Sequence, residues 1–276
     1  MDARILAALK YIEQDLSEQI ELEEVSRKIG LSKFYSERLF HAEVGESFYA
    51  YLKRVRLHHA ARRLKRTNQS VYEIAVAYGY TSNATFSRAF QRFFGVSPTR
   101  YRKELWGRED SFDDPPKIEI REIKPYYCIF ARYCGPYERI RDWWCDFIGR
   151  LPASLHNNES GGVRFMGRIY DDPRVTPANE LRYDCCYVFT DLQDSRIESD
   201  DLRYRLILTD PGLYAAVDNS VRPRPRSAVY SYILDRWLPR TIYQYSDLPG
   251  LEFFTGCPID ANSTEAPVCT MLVPLE

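Results

Sequence analysis

The chain reads as two domains of different class. The first is an all-α N-terminal domain with two helix–turn–helix motifs joined by a long helix. The second is an α+β C-terminal domain of two strand–helix–strand–strand modules with an antiparallel sheet. Three observations predict this. Apolar spacing is helical through the first hundred or so residues and strand-like from Ile118 onward. Residues 24–45 recur in altered form at 73–95. A weaker self-match, at an offset of 87, runs through the second half. A chain of 276 residues also exceeds one typical core.

Taken in order, Ile5, Leu6, Leu9, Ile12 and Leu16 share one helical face. A second helix is expected over about 22–29, and a third opens at Ser32, a plausible N-cap. Residues 47–66 form a long helix, opened by Ser47 and closed at Thr67-Asn68. Shorter helices follow over roughly 70–78 and 82–94, before Gly95 and Pro98 interrupt the chain. Residues 107–116 are acidic and Pro-paired, which predicts a linker between domains at 1–106 and 117–276. Strands are expected from Ile118, and over Val163–Tyr170, Tyr183–Thr190, Arg205–Val217 and Val268–Val273. Helices are expected at about 138–150 and 226–237, which makes this half α+β.

The repeat carries the strongest signal. Glu24-Val25-Ser26 and Ile29-Gly30-Leu31-Ser32 align with Glu73-Ile74-Ala75 and Tyr78-Gly79-Tyr80-Thr81. After one extra residue, Arg38, Phe40 and Gly45 match Arg88, Phe90 and Gly95. Gly30 and Gly79 stand where a helix must end in a left-handed turn. The second helix of such a pair can enter a DNA major groove. The helix after Gly30 offers Lys33, Phe34, Glu37 and Arg38; the helix after Gly79 offers Ser82, Asn83, Thr85 and Arg88. Arg reads guanine bidentately, Asn reads adenine, and a Glu can accept from cytosine. Alternatively Glu37 only balances Arg38. A helix of about 20 residues spans about 30 Å, close to the roughly 34 Å between major grooves on one DNA face. Lys53, Arg54, Arg56, Arg62, Arg63, Lys65 and Arg66 crowd this helix, and phosphate contact is expected of some. His58 and His59 are expected to be solvated or near phosphate. Either hairpin alone could equally be scaffolding; duplication, strut length and charge together favour the DNA reader. Residues 1–108 carry 19 Lys+Arg against 12 Asp+Glu, a net of +7, whereas the remainder is at −8.

Residues 1–105 resemble the DNA-binding domain of AraC/XylS-type regulators. The resemblance lies in Gly30-Leu31-Ser32-Lys33-Phe34-Tyr35-Ser36-Glu37-Arg38-Leu39-Phe40. It is stronger over Ile74-Ala75 to Gly79-Tyr80, Phe86-Ser87-Arg88-Ala89-Phe90, Gly95-Val96-Ser97-Pro98 and Tyr101-Arg102. It implies base contacts from Phe34, Glu37, Arg38, Asn83, Ala84, Thr85 and Arg88. Ala84 departs from the polar residue common there.

The second half is rich in aromatics, most of them expected in the core, and Glu252 lies among them in Leu-Pro-Gly-Leu-Glu-Phe-Phe. By spacing alone, Glu252 belongs on the solvent face of a strand. The offset of 87 pairs Pro136 with Pro223, Trp143 with Tyr230 and Phe147 with Leu234. Two such modules would share an interface groove, a common ligand site. Residues from about 117 to 275 resemble a GyrI-like effector-binding domain, through Gly135-Pro136-Tyr137-Glu138, Gly167 to Pro173, Leu181 to Cys185, Trp237-Leu238-Pro239 and Leu248 to Glu252. The resemblance implies that Glu252 lies in an aromatic cleft and meets cationic or polar ligands; Tyr137, Trp143, Tyr170 and Phe254 are the aromatics expected to line it, for an aromatic or cationic effector. The Val221-Arg222-Pro223-Arg224-Pro225-Arg226 turn departs from the pattern in its basicity. Together the halves resemble a Rob-like arrangement, reader first and sensor second.

The expected function is therefore sequence-specific transcription regulation. The partners expected are double-stranded DNA at two adjacent major grooves, a small-molecule effector, and RNA polymerase. Two alternatives stay open: the C-terminal domain contacts a protein, or hydrolyses a reactive small molecule with Glu252 as base. No Ser-His-Asp set, metal cluster or phosphate loop stands in the sequence, so no enzyme activity, cofactor or metal is expected. The seven Cys include no C-x-x-C pair and read as reduced thiols. No run of about 18 apolar residues spans a membrane, and no signal-peptide order opens the chain, so a cytoplasmic location is expected.

Overall fold

The computed structural model describes residues 2–14, 16–17, 19–103, 114–152, 155, 165–189, 205–220, 223–254, 256–259 and 269–276. Most of the expected linker, with His156, Val163, Thr190, Val221, Arg222 and Val268, lies outside them. The chain divides into two units, Met1–Trp106 and Gly107–Glu276.

The first unit is helical. Helix α1 (Ala3–Gln14) buries Ile5, Leu6, Leu9 and Ile12 along one face. Helices α2 (Leu22–Lys28) and α3 (Lys33–Val44) follow, with Ser32 Oγ capping the Tyr35 amide. Helix α4 (Phe48–Arg66) opens on the Ser47 cap. Helices α5 (Val71–Ala77) and α6 (Asn83–Phe94) repeat the α2–α3 pair; a Ser70–Glu73 capping box opens α5 and Ser82 caps α6. Helix α7 (Pro98–Lys103) closes the unit. The turn at Gly79 shows why glycine stands there. Its φ is +74°, and a Cβ would lie 2.8 Å from the Arg56 guanidinium carbon.

The repeat extends into packing. Phe40 and Phe90 are both fully buried. Phe40 meets Tyr51 edge-on at 5.6 Å, and Phe90 meets Tyr101 edge-on at 5.2 Å. Helix α4, 19 residues and about 28 Å long, is more buried than its charge suggested. Leu57, Ala60 and Ala61 are inaccessible, and so nearly are His58, His59 and Arg62. The expectation that His58 and His59 are solvated or near phosphate is therefore overturned. His58 packs against Phe93 and Phe94, and a His59 ring nitrogen lies 3.0 Å from Arg62 Nη2.

Among the described residues, the second unit contains an eight-stranded antiparallel sheet. Its strands are β1 (Glu119–Ile123), β2 (Tyr127–Cys134), β3 (Phe165–Ile169), β4 (Arg182–Val188), β5 (Arg205–Leu208), β6 (Gly212–Asp218), β7 (Gly250–Phe254) and β8 (Thr270–Leu275). Their spatial order is β1-β6-β8-β7-β3-β4-β2-β5. Helix α8 (Ile140–Arg150) follows β2. Helix α9 (Arg226–Ser231), extended by a π-helical turn over Tyr232–Trp237, follows β6. Residues of both helices join Tyr183, Cys185, Phe254 and Met271 in one core, which defines the helix side of the sheet.

Two strand expectations change. Arg205–Val217 is two strands: Pro211 lacks the N–H that a ladder needs, and Thr209 instead bonds Tyr126 through both its amide and its hydroxyl. Strand β2 was not foreseen, because its Cys-Ile-Phe-Ala run has no polar alternation. Each edge strand also leaves its own half: β1 pairs with β6, and β5 with β2. Cys185 and Cys186 point to opposite faces as expected, and both are fully buried, so this part of the sheet is covered on both sides.

Candidate functional site

Helices α3 and α6 present the same surface. Each buries two positions, Ser36 and Phe40 in α3 and Phe86 and Phe90 in α6. The exposed positions of each include a matching set: Lys33, Phe34, Tyr35 and Arg38 on α3; Asn83, Ala84, Thr85 and Arg88 on α6. Phe34 is 73 % exposed, an unusual cost for a large apolar ring. The Arg38 guanidinium lies 5.8 Å from that ring, and Lys33 pairs with Glu23. Glu37 is half-buried, and its Oε2 has no hydrogen-bond partner among the described residues; no ion pair joins it to Arg38. Ser82 Oγ caps the Thr85 amide at 3.1 Å and bonds the Thr85 hydroxyl at 2.9 Å, which commits it to the helix end. Ser87 donates to Asn83 Oδ1 at 3.3 Å.

The basic residues of α4 are mostly used inside the unit. Arg54 pairs with Glu46, Arg56 donates to the Leu16 carbonyl, and Arg62 is buried. Of the seven, Lys53 alone is well exposed.

In the second unit, Glu252 lies on β7 at the middle of the sheet, opposite Gly167 on β3 and Met271 on β8. Spacing alone placed it on a solvent face; it is fully buried, on the helix side with Phe254. Both carboxylate oxygens are occupied. Arg226 Nε donates to Oε1 at 2.6 Å, and the Tyr183 hydroxyl donates to Oε2 at 2.8 Å. Trp144 Nε1 donates to the Tyr183 hydroxyl at 3.2 Å. Burial, and then the charge of Glu252, push the Tyr183 pKa far up, so its hydroxyl stays protonated as a donor. Around this relay, Tyr137 and Trp143 lie 6.3 and 6.1 Å from the Tyr183 ring, and Phe254 meets Trp144 at 5.2 Å. Trp143 stacks on Tyr133.

Gly167 makes this seating possible. A Cβ there would stand 2.0 Å from the Tyr183 hydroxyl oxygen. Gly167→Ala is therefore expected to push the ring off Glu252 and Trp144 and to cost about 1–3 kcal/mol. The check is urea unfolding with an unchanged m-value. A Gly167→Ala chain as stable as the parent would show that Tyr183 can leave this position cheaply.

Tyr170 does not join Glu252. It follows β3 on the parity of Arg168, and its hydroxyl donates to Asp184 Oδ2 at 2.6 Å. The Arg132, Arg168 and Arg182 guanidiniums lie 4.4, 5.4 and 5.2 Å from its ring. Side chains alternate across a strand, and Tyr183 and Asp184 are consecutive, so Tyr170 lies on the face away from Glu252. Sequence reasoning also missed the parts played by Tyr183, Trp144 and Gly167. Arg226 stood out only as one basic turn residue. Among the described residues, no group of His, Cys, Asp and Glu could hold a metal ion, and no helix is long and apolar enough to cross a membrane.

Comparison with known families agrees with this division. Residues 25–104 match the helix-turn-helix domain family, and residues 109–276 match the GyrI-like small molecule binding domain family. The chain belongs to the AraC/XylS regulators and carries a GyrI-like domain C-terminal to its DNA-binding region. Among individual proteins, it is 33 % identical over 111 residues to the multiple antibiotic resistance protein MarA of Escherichia coli (strain K12), covering 40 % of this chain and 87 % of that protein. It is 32 % identical over 110 residues to the HTH-type transcriptional activator AarP of Providencia stuartii, covering 40 % and 82 %. It is 30 % identical over 163 residues to the right origin-binding protein of Escherichia coli (strain K12), covering 52 % and 56 %.

Proposed function

We propose that α3 and α6 are the recognition helices of two helix–turn–helix motifs, which α4 sets into two adjacent major grooves of double-stranded DNA. The domain at 117–276, read as two strand–helix–strand–strand modules, senses a small molecule at the Glu252 cluster and so changes transcription, with RNA polymerase as partner. The observation that carries the DNA reading is the matched exposure of α3 and α6. Two helices on one short unit bury the same two positions and offer a matching set to solvent, as a duplicated reader must.

Selection from random duplex DNA by the full chain at physiological salt tests it. An asymmetric motif spanning two adjacent major grooves is the expected result; no enrichment would sink the proposal. Arg38→Ala and Arg88→Ala should each cost about 1–3 kcal/mol of binding and relax preference at one base pair. Lys53→Ala should weaken all sequences alike and reduce the salt slope by about 1. An unchanged base preference after Arg88→Ala would remove that residue from the reader.

Within the C-terminal domain, the relay at Glu252 favours binding over proton transfer. A general base needs an oxygen within reach of the substrate proton. Both oxygens of Glu252 already accept from Arg226 and Tyr183.

A further inference from the structure

Arg226 is presented to Glu252 by a braced turn. Pro225 precedes it at the N-cap of α9, and the Asn219 side chain clamps Arg224 by accepting from its amide and donating to its carbonyl, each at 3.0 Å. The Arg226 side chain is 20 % exposed and Glu252 wholly buried. One turn along α9, the Tyr230 hydroxyl is buried and has no hydrogen-bond partner among the described residues. It faces β7, 3.4 Å from where a Gly250 Cβ would stand, two residues from Glu252. An orphaned hydroxyl beside a charged pair and aromatic rings marks a place where a polar group is missing.

We infer that Arg226 is a tethered counter-ion filling the cation seat of Glu252, so that the site takes zwitterionic aromatic molecules and rejects simple lipophilic cations. This deepens the small-molecule reading above and rests on it. Charge balance carries the argument. The pair sums to zero. A monocation that displaces Arg226 leaves a mostly buried guanidinium without its carboxylate, and a monoanion on Arg226 leaves a buried carboxylate without its cation. Breaking a buried pair from one side is strongly unfavourable. A zwitterion inserts between the two and satisfies both, its cationic group on Glu252 and its anionic group on Arg226. The Tyr230 hydroxyl supplies a further hydrogen bond, and the Tyr137 and Trp143 rings receive the aromatic body.

The test is titration calorimetry on the full chain with three probes of one shape: tryptophan (zwitterion), tryptamine (cation) and indole-3-propionate (anion). The parent chain is expected to bind tryptophan at least about ten-fold more tightly than either ion. Arg226→Gln should reverse the order of tryptophan and tryptamine, and Arg226→Lys should keep the parental order. A parent that prefers tryptamine, or an Arg226→Gln chain with the parental ranking, overturns the role of Arg226 while leaving a small-molecule site in place. Binding of none of the three by the parent overturns the site itself. Should Arg226→Gln fail a thermal-melt check of folding, the ranking in the parent decides alone.

Discussion

Asp184→Ala is expected to destabilise the C-terminal unit by about 3–5 kcal/mol. Asp184 is fully buried on the face of the sheet away from α8 and α9. Its Oδ1 accepts from Arg132 Nε at 2.8 Å; its Oδ2 accepts from Arg132 Nη2 at 3.2 Å and from the Tyr170 hydroxyl at 2.6 Å. Arg168 Nη1 lies 3.7 Å from the same oxygen, and Arg168 Nε has no hydrogen-bond partner among the described residues. Removing the carboxylate takes a buried anion from between the Arg132 and Arg168 guanidiniums. Burial opposes the Arg168 charge, and the neighbouring Tyr170 and Asp184 more than compensate. Asp184→Asn keeps the size and loses the charge, and should fall between the parent chain and Asp184→Ala. Urea unfolding measures both, and a loss below about 1 kcal/mol for Asp184→Ala would mean that solvent reaches the arginines on relaxation.

Phe90→Ala is expected to cost the N-terminal unit about 3–5 kcal/mol. Phe90 is fully buried and lies 5.5, 4.5 and 5.2 Å from the rings of Phe86, Phe94 and Tyr101. The vacated space has α6 for one wall, so the helix bearing Asn83, Thr85 and Arg88 loses its seat. Phe40→Ala should act in the same way on α3, through Phe48 and Tyr51. Each variant should therefore lose preference in its own half of the selected DNA motif before the other half is affected. Equal loss in both halves from Phe90→Ala would show that the two helix pairs do not respond as separate readers.

The helical half was legible because its signals are local. Ser32, Ser47, Ser70 and Ser82 are N-caps that act on amides three residues away. The left-handed glycines recur in step with the repeat: Gly30 with Gly79, and Gly45 with Gly95. Helical spacing then named the buried face of α1. On α4 the spacing accounts for the buried apolar stripe and leaves three buried polar residues unaccounted for. A helix enclosed by its neighbours buries Arg62, His58 and His59 as well as its apolar stripe, and no pattern within 19 residues announces that enclosure.

The ligand half was less legible for a related reason. Alternation along a strand separates two faces, yet it does not say whether both are covered. Glu252 between Leu251 and Phe253 has the pattern of a solvent-facing residue; α8 and α9 lie over that face and bury it. Parity likewise divides Tyr170 from Glu252, once the β3–β7 register is known. Sequence alone determined the change from helical to sheet-forming segments, the recurrence of the α2–α3 pair as α5–α6, the turns at Gly30 and Gly79 and the helix starts at Ser32 and Ser47, because each depends on neighbours within a few positions. Only the tertiary structure decided that Glu252 is buried and already paired. Its partners Arg226 and Tyr183 stand 26 and 69 residues away, and a charge's environment is set by what folds onto it.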